Sequence, residues 1–215
     1  MYFPVQPSER DFEHALQCLR QGGIVAYPTE TFYGLAVDPE NEQAITALYA
    51  LKGREEQKPI SLIIQDVTQL SSLACSFPEG YKSLIDSFWP GPLTLIFPAQ
   101  KHISSVLTGG GRSLAIRISS HPVARKLCES WGGALTATSA NISGEAPLVS
   151  AQDIHDMFGE KLSFVLDGGL TPGGQGSTIV HCSDREKECT VIREGVISIS
   201  KIALKLPSHY NICKS

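Results

Sequence analysis

The sequence predicts a single α/β domain in which helices pack against a mixed β-sheet. Three observations carry this. Stretches with apolar residues at helical spacing interleave with short β-like apolar runs, without the strict β-α-β repeat of a wholly parallel sheet. Glycine and proline clusters punctuate those stretches sharply. No repeat, low-complexity tract or linker divides the 215 residues, a length that suits one domain with a substantial core.

Taken in order, residues 8–21 place Phe12, Ala15, Leu16 and Leu19 at helical spacing and stop at Gly22 and Gly23. IVAY (24–27) reads as a short buried strand broken by Pro28. A second helix starts at the N-cap candidate Asn41, runs through Ile45, Leu48 and Leu51 to Lys52, and ends at Gly53. SLII (61–64) is strand-like, a helix covers 81–88 and stops at WPGP, and LTLIF (93–97) is a strand. SLAIRI (113–118) alternates as a strand with one buried face. Residues 122–130 read as a helix with Pro122 in its first turn. ALTATSA (134–140) is one β-compatible run ending in a polar turn at Asn141, and Ser150 caps a short helix to Phe158. Strand candidates follow at 163–166, 178–181 and 190–193.

Composition narrows the function classes. The formal net charge of −4 gives no global attraction to nucleic acid, whose phosphates call for a basic footprint, although positive residues can still converge on one cleft. Charges at Glu9, Arg10, Asp11 and Glu13 interrupt the first 17 residues before an export signal could form, and no uncharged apolar run approaches a membrane span. The expected location is cytoplasmic. The six cysteines are scattered without a C-x-x-C pair, so they read as reduced thiols, several of them buried, and not as a zinc or disulfide framework.

Polar turns follow several elements: PTET after IVAY, Lys52-Gly53-Arg54 after a helix, and SANISG after ALTAT. In α/β proteins ligands usually bind at strand ends. These turns hold hydroxyls, amides and cations but little acid–base machinery. The histidines lack metal-ligand spacing, and Ser139 lacks the flanking glycines of a hydrolase elbow. Such a residue set suits phosphates, where catalysis is positioning plus electrostatics. No P-loop is present. Gly109 to Gly111, before Arg112, and the Gly173-Gly174-Gln175-Gly176 run, before Ser177 and Thr178, are turns or phosphate cradles, the second being the better candidate. Lys52 and Arg54 taken alone read as solvated helix-end charges, favoured there by the helix dipole.

One ordered series of motifs goes further: PTETFYGLAVD (28–38), KGR (52–54), KPISLII (58–64), WPGPLTLIF (89–97), SLAIRISSHPVA (113–124), TSANISG (138–144), LDGG (166–169), GSTIV (176–180) and IREG (192–195). Together they resemble the YrdC-like threonylcarbamoyl-AMP synthase family. The resemblance implies a twisted mixed sheet around a large positively charged cavity. It also implies the formation of threonylcarbamoyl-adenylate and pyrophosphate from L-threonine, bicarbonate and ATP with Mg2+, for a tRNA modification that downstream transferase proteins complete. A Lys-Arg-Ser-Asn tetrad falls on Lys52, Arg54, Ser139 and Asn141, expected to be the catalytic clamp on ATP. Lys58, Ser113 and Arg193 fall on further nucleotide positions, and Thr31, Arg117 and Ser177 on threonine positions. No metal ligand is implied among the side chains. Glu55, Pro147, Gly176 and Glu194 depart from the family pattern, which often has Pro, Ser, Glu and Pro there. Only twenty residues follow Gly195, so the short form is expected: one domain over 1–215, a core over about 8–200 and a tail over 201–215. Weak RNA binding is a further partner expectation, and an RNA-binding or nucleotide-sensing module without turnover is the alternative.

Overall fold

The structure, a computed structural model, describes residues 6–215. The five residues before them, which belong to the stretch read above for an export signal, lie outside it.

Local signals set the helices. Ser8 and Asp11 form a capping box that opens α1 (Glu9–Arg20), burying Phe12, Ala15, Leu16 and Leu19. The Asn41 side chain accepts from Ala44 N to open α2 (Glu42–Lys52), which ends where Gly53 adopts φ 56°, a left-handed conformation that glycine takes without a Cβ penalty. Short α3 (Leu70–Leu73) precedes α4 (Glu79–Phe88). Pro122 begins α5 (Pro122–Trp131), Ser150 caps α6 (Ala151–Phe158), and α7 spans Ile199–Ala203.

The strands are β1 (Val25–Pro28), β2 (Tyr33–Ala36), β3 (Leu62–Ile63), β4 (Leu93–Pro98), β5 (Ser113–Arg117), β6 (Leu135–Thr136), β7 (Thr138–Ser139), β8 (Phe164–Val165), β9 (Thr178–Ser183), β10 (Glu188–Arg193) and β11 (Asn211–Lys214). They form two mixed sheets where one was expected: a four-stranded sheet, β7-β2-β1-β8, and a seven-stranded sheet, β11-β10-β9-β4-β5-β3-β6. Every residue of β1 is buried: Val25 and Tyr27 join the cluster under α1 and α5, while Ala26 points into the main core with Tyr33 and Leu35. Pro28 closes β1 instead of breaking it, at the Tyr33 end of the β1–β2 hairpin.

Three further differences matter. The 134–140 run is not one strand: β6 pairs with β3 in the large sheet and β7 with β2 in the small one. At the handover Ala137 N donates to Ser61 O at 2.7 Å. YGLA, inside the first motif, forms β2. Residues 201–215, read as a tail, contribute the end of α7 and all of β11, which lies parallel to β10.

The large sheet sorts its side chains by alternation. Leu93, Leu95 and Phe97 of β4, Leu114 and Ile116 of β5, and Val180 and Cys182 of β9 enter the core. Thr94, Ile96, Ala115, Arg117 and Ile179, from the same strands, face the other way. All six cysteines are free thiols, and Cys18, Cys128, Cys182 and Cys189 are buried.

Candidate functional site

That opposite face lines a cavity of about 520 Å³, closed on its far side by residues from the β1–β2 turn, the 54–61 segment, β7 and the 175–177 approach to β9. The cavity therefore lies over the face of the large sheet, and the three polar turns supply Thr29, Thr31, Arg54 and Ser139 to its wall. A register shift between Val191 and Arg193 in β10 brings consecutive side chains, Ile192 and Arg193, to its wall. Arg54, Lys58, Arg117 and Arg193 line it against one carboxylate, Glu194. At this size, with hydroxyls and cations mixed among its apolar lining, it suits a small polar molecule and favours anions.

Of the expected threonine contacts, Thr31, Arg117 and Ser177 all line the cavity. Their hydrogen-bond state can be worked out. Thr29 Oγ1 donates to Phe32 O at 2.6 Å, so in its 3.1 Å contact with Thr31 Oγ1 it is the acceptor. Thr31 thus spends its hydrogen and presents lone pairs. Ser177 is the reverse: its Oγ accepts from Thr94 Oγ1 at 2.8 Å and from Arg193 Nη2 at 3.3 Å, leaving its hydrogen to donate. One acceptor, one donor and one guanidinium match an amine and a carboxylate.

The tetrad divides. Arg54 and Ser139 line the cavity, whereas Lys52 and Asn141 do not. Lys52 is 1% exposed. Its ammonium donates to Ser139 O at 2.5 Å, Asn141 O at 2.7 Å and Asn141 Oδ1 at 3.2 Å, which uses all three hydrogens. Asn141 is equally committed: Nδ2 donates to Ile142 O and Glu145 O, and Oδ1 also accepts from Ser139 Oγ at 2.6 Å. Both were expected to grip ATP; here their hydrogen bonds turn to the 139–145 turn, which Lys52 braces from the end of α2. Burial first, and Arg54 second, pull the Lys52 pKa down to about 8, which leaves it charged at neutral pH.

Among the nucleotide positions, Lys58 lines the cavity with its ammonium 3.1 Å from Glu55, an exposed pair that an incoming phosphate can break at little cost. Arg193 lines it too, held by Ser177 O at 2.8 Å. Ser113 does not: it is exposed at the start of β5, on the same face as Ala115 and Arg117 but beyond the lining.

The departures from the motif pattern acquire local accounts. A Cβ at Gly176 would stand 3.2 Å from Arg193 Nη2, so glycine gives that guanidinium room. Glu194 accepts from Ile199 N at the start of α7 and pairs with Lys214 at 3.1 Å, tying β11 to the cavity rim. Pro147 is part of the lining.

Sequence reasoning missed Glu30, Thr94, Ser61, Thr138 and Gln175. Thr94 gave one usable signal, a lone hydroxyl inside the apolar LTLIF run.

Below the site, Ser119 Oγ accepts from His121 N, and His121 Nδ1 accepts from Val123 N at 3.3 Å to cap α5. Burial lowers the His121 pKa from 6.5 against an opposing pull from Glu30. A depressed histidine supplies stability that is complete above 6.5 and lost as pH falls through the folded value. Wild type should therefore lose melting temperature relative to His121→Asn on acidification below 6.5, and melting temperatures that fall in parallel for the two would contradict the lowered pKa.

Fold and site define an α/β domain with a cavity on one sheet face, lined by Arg54, Lys58, Arg117 and Arg193. The Sua5/YciO/YrdC family model, described as telomere recombination, matches residues 17–195. The chain belongs to that family. It is 41% identical over 166 residues to the threonylcarbamoyl-AMP synthase of Halorhodospira halophila, covering 76% of this chain and 87% of that one. To the Photobacterium profundum protein of the same name it is 36% identical over 187 residues, covering 86% and 99%. The crystal structure of P. abyssi Sua5 complexed with L-threonine superposes with a TM-score of 0.89 at 33% identity, covering 96% of this chain and 60% of that one. Escherichia coli YciO, 23% identical with a TM-score of 0.82 and covering 93% and 96%, shares the fold.

Proposed function

We propose that this chain is an L-threonylcarbamoyladenylate synthase, a nucleotidyltransferase that makes threonylcarbamoyl-AMP and pyrophosphate from L-threonine, bicarbonate and ATP. The observation that carries the reading is the meeting, in one cavity, of Thr31, Arg117 and Ser177 with Arg54, Lys58, Arg193 and Ser139. The first group is an amino-acid site by chemistry, the second a phosphate site.

The Arg117 guanidinium takes the threonine carboxylate, with Ser177 donating beside it, and Thr31 accepts from the amine. The amine nitrogen bonds to the carbon of CO2 derived from bicarbonate and loses a proton, giving a carbamate. A carbamate oxygen then bonds to the α-phosphorus, the bond to the β-phosphate oxygen breaks, and pyrophosphate leaves. Arg54, Lys58 and Arg193 offset the charge gathered on the phosphates, and Ser139 offers lone pairs to the nucleotide. No covalent enzyme intermediate is needed, and close juxtaposition of the two substrates supplies most of the advantage. Magnesium, expected to accompany ATP, would help offset the charge of the triphosphate. Among the described residues no cluster of three acidic, histidine or cysteine side chains forms a cage for it, and the lining carboxylate, Glu194, is already engaged.

Lys52 and Asn141 serve by holding the 139–145 turn, and so Ser139, in place. The product feeds tRNA modification in the cytoplasm through a transferase that collects the adenylate. No helix of the described residues is long and apolar enough to cross a membrane. Pyrophosphate release assayed with each amino acid, with and without bicarbonate, tests the reading: release should require threonine, bicarbonate and ATP together. Salt-dependent RNA binding with no pyrophosphate released would instead support a non-catalytic module.

A further inference from the structure

Behind Arg117 stands a carboxylate that the reaction above does not use. Glu30 lies in the β1–β2 turn, immediately before Thr31. Its side chain is 11% exposed and that of Arg117 is 8% exposed. Both carboxylate oxygens are committed: Oε1 accepts from Arg117 Nη1, and Oε2 accepts from Ser119 Oγ. Glu30 thus clamps two alternate positions of the chain leaving β5, across 87 residues of sequence. No other hydrogen bond from the Arg117 guanidinium is recorded among the described residues, so its remaining donors are unspent.

A buried negative charge beside a site for a carboxylate is costly by charge alone, since it repels the substrate. Geometry supplies the compensating reason to keep it. A guanidinium is a rigid planar fork, and fixing one nitrogen fixes the plane in which the others lie. We propose that Glu30 is a positioning residue for amino-acid recognition: it holds Nη1 of Arg117 so that the opposite edge of the fork meets the substrate carboxylate bidentately. The contact also fixes the turn that carries Thr31, so the acceptor for the amine and the donor for the carboxylate are aligned by one side chain. The inference rests on the reading that Arg117 takes the threonine carboxylate.

The two effects of Glu30 have opposite signs, and this makes the test sharp. Removing it lowers repulsion, which alone would tighten threonine binding; removing it also frees the fork, which loosens binding. Glu30→Ala should raise the KM for threonine by about ten- to a hundredfold, the worth of a charge-assisted hydrogen bond, with the KM for ATP nearly unchanged. Glu30→Gln, whose amide oxygen can still accept from Arg117, should recover part of that loss, and it serves where the alanine variant does not fold. A merely structural role would lower melting temperature and kcat per mole of protein while leaving the threonine KM in place. That result, or a lower threonine KM in either variant, would overturn the proposal. Arg117→Gln run alongside separates the two layers. If it too leaves the threonine KM unchanged, the placement of the substrate carboxylate is wrong. If it raises that KM and neither Glu30 variant does, only the role of Glu30 falls.

Discussion

Replacing Lys52 with methionine should lower the melting temperature by about 6–12 °C, because Asn141 O is left without a donor, while Ser139 O and Asn141 Oδ1 lose a charged donor and keep only Asn141 N and Ser139 Oγ. One orphaned buried acceptor and two lost hydrogen bonds to a charged group together cost about 3 kcal/mol, which shifts the midpoint of a domain of this size by about that amount. Activity should fall with stability, since Ser139 sits on the turn that Lys52 braces. Arg54→Met provides the contrast. Arg54 is half-buried, donates to Lys58 O and Pro59 O, and lines the cavity. Its loss should reduce kcat/KM for ATP while shifting the melting temperature far less. The comparison separates a brace from a clamp. A Lys52→Met protein that melts like wild type and differs only in its KM for ATP would mean that the ammonium reaches the nucleotide, contrary to the geometry described.

Gly195→Ala should be as damaging, for a different reason. A Cβ there would lie 2.1 Å from Gly176 O and 2.8 Å from Ser177 C, both backbone atoms that cannot rotate away. Gly195 N also donates to Thr178 Oγ1 at 3.0 Å, so the two segments are locked in register. Relief requires the 176–178 backbone to move, carrying Ser177 and its contact with Arg193. The expected cost is about 2–3 kcal/mol of overpacking, with roughly a hundredfold loss of kcat/KM from the displaced Ser177. Melting and steady-state kinetics on the same preparation check both. A variant that keeps wild-type stability and activity would show that the close approach of 195 to 176 is not required.

The elements that sequence reading located best were those with a local cause. Ser8, Asn41 and Ser150 each accept from a backbone N–H within their own first turn, Pro122 opens α5, and Gly53 needs only its own φ. Alternation in SLAIRI likewise marked Leu114 and Ile116 for the core. What escaped depends on partners distant in sequence. The 134–140 run looks like one strand because nothing within it shows that β3 and β2 pull its two halves into different sheets. Residues 211–214 looked like a tail because β11 is marginal alone and gains its pairing from β10.

The site follows the same division. Position in an ordered series of motifs brought out Thr31, Arg117, Ser177, Arg54 and Ser139, and the cavity gathers them. The motifs carry no information on direction, so Lys52 and Asn141 entered as a grip on ATP although their hydrogen bonds turn inward. Glu30 and Thr94 were missed because their partners lie 87 and 83 residues away. Each looks ordinary until the fold places it against Arg117 or Ser177.

The most direct measurement is the fate of the carbonate carbon. The protein is incubated with ATP, L-threonine and carbon-13-labelled bicarbonate, quenched, and the nucleotide fraction is weighed by mass spectrometry. The account predicts an adenylate whose mass is that of AMP joined to N-carboxythreonine, heavier by one carbon-13 than the product from unlabelled bicarbonate, and absent when threonine is omitted. Pyrophosphate release accompanied by an unlabelled threonyl-adenylate, or no adenylate at all, would contradict it.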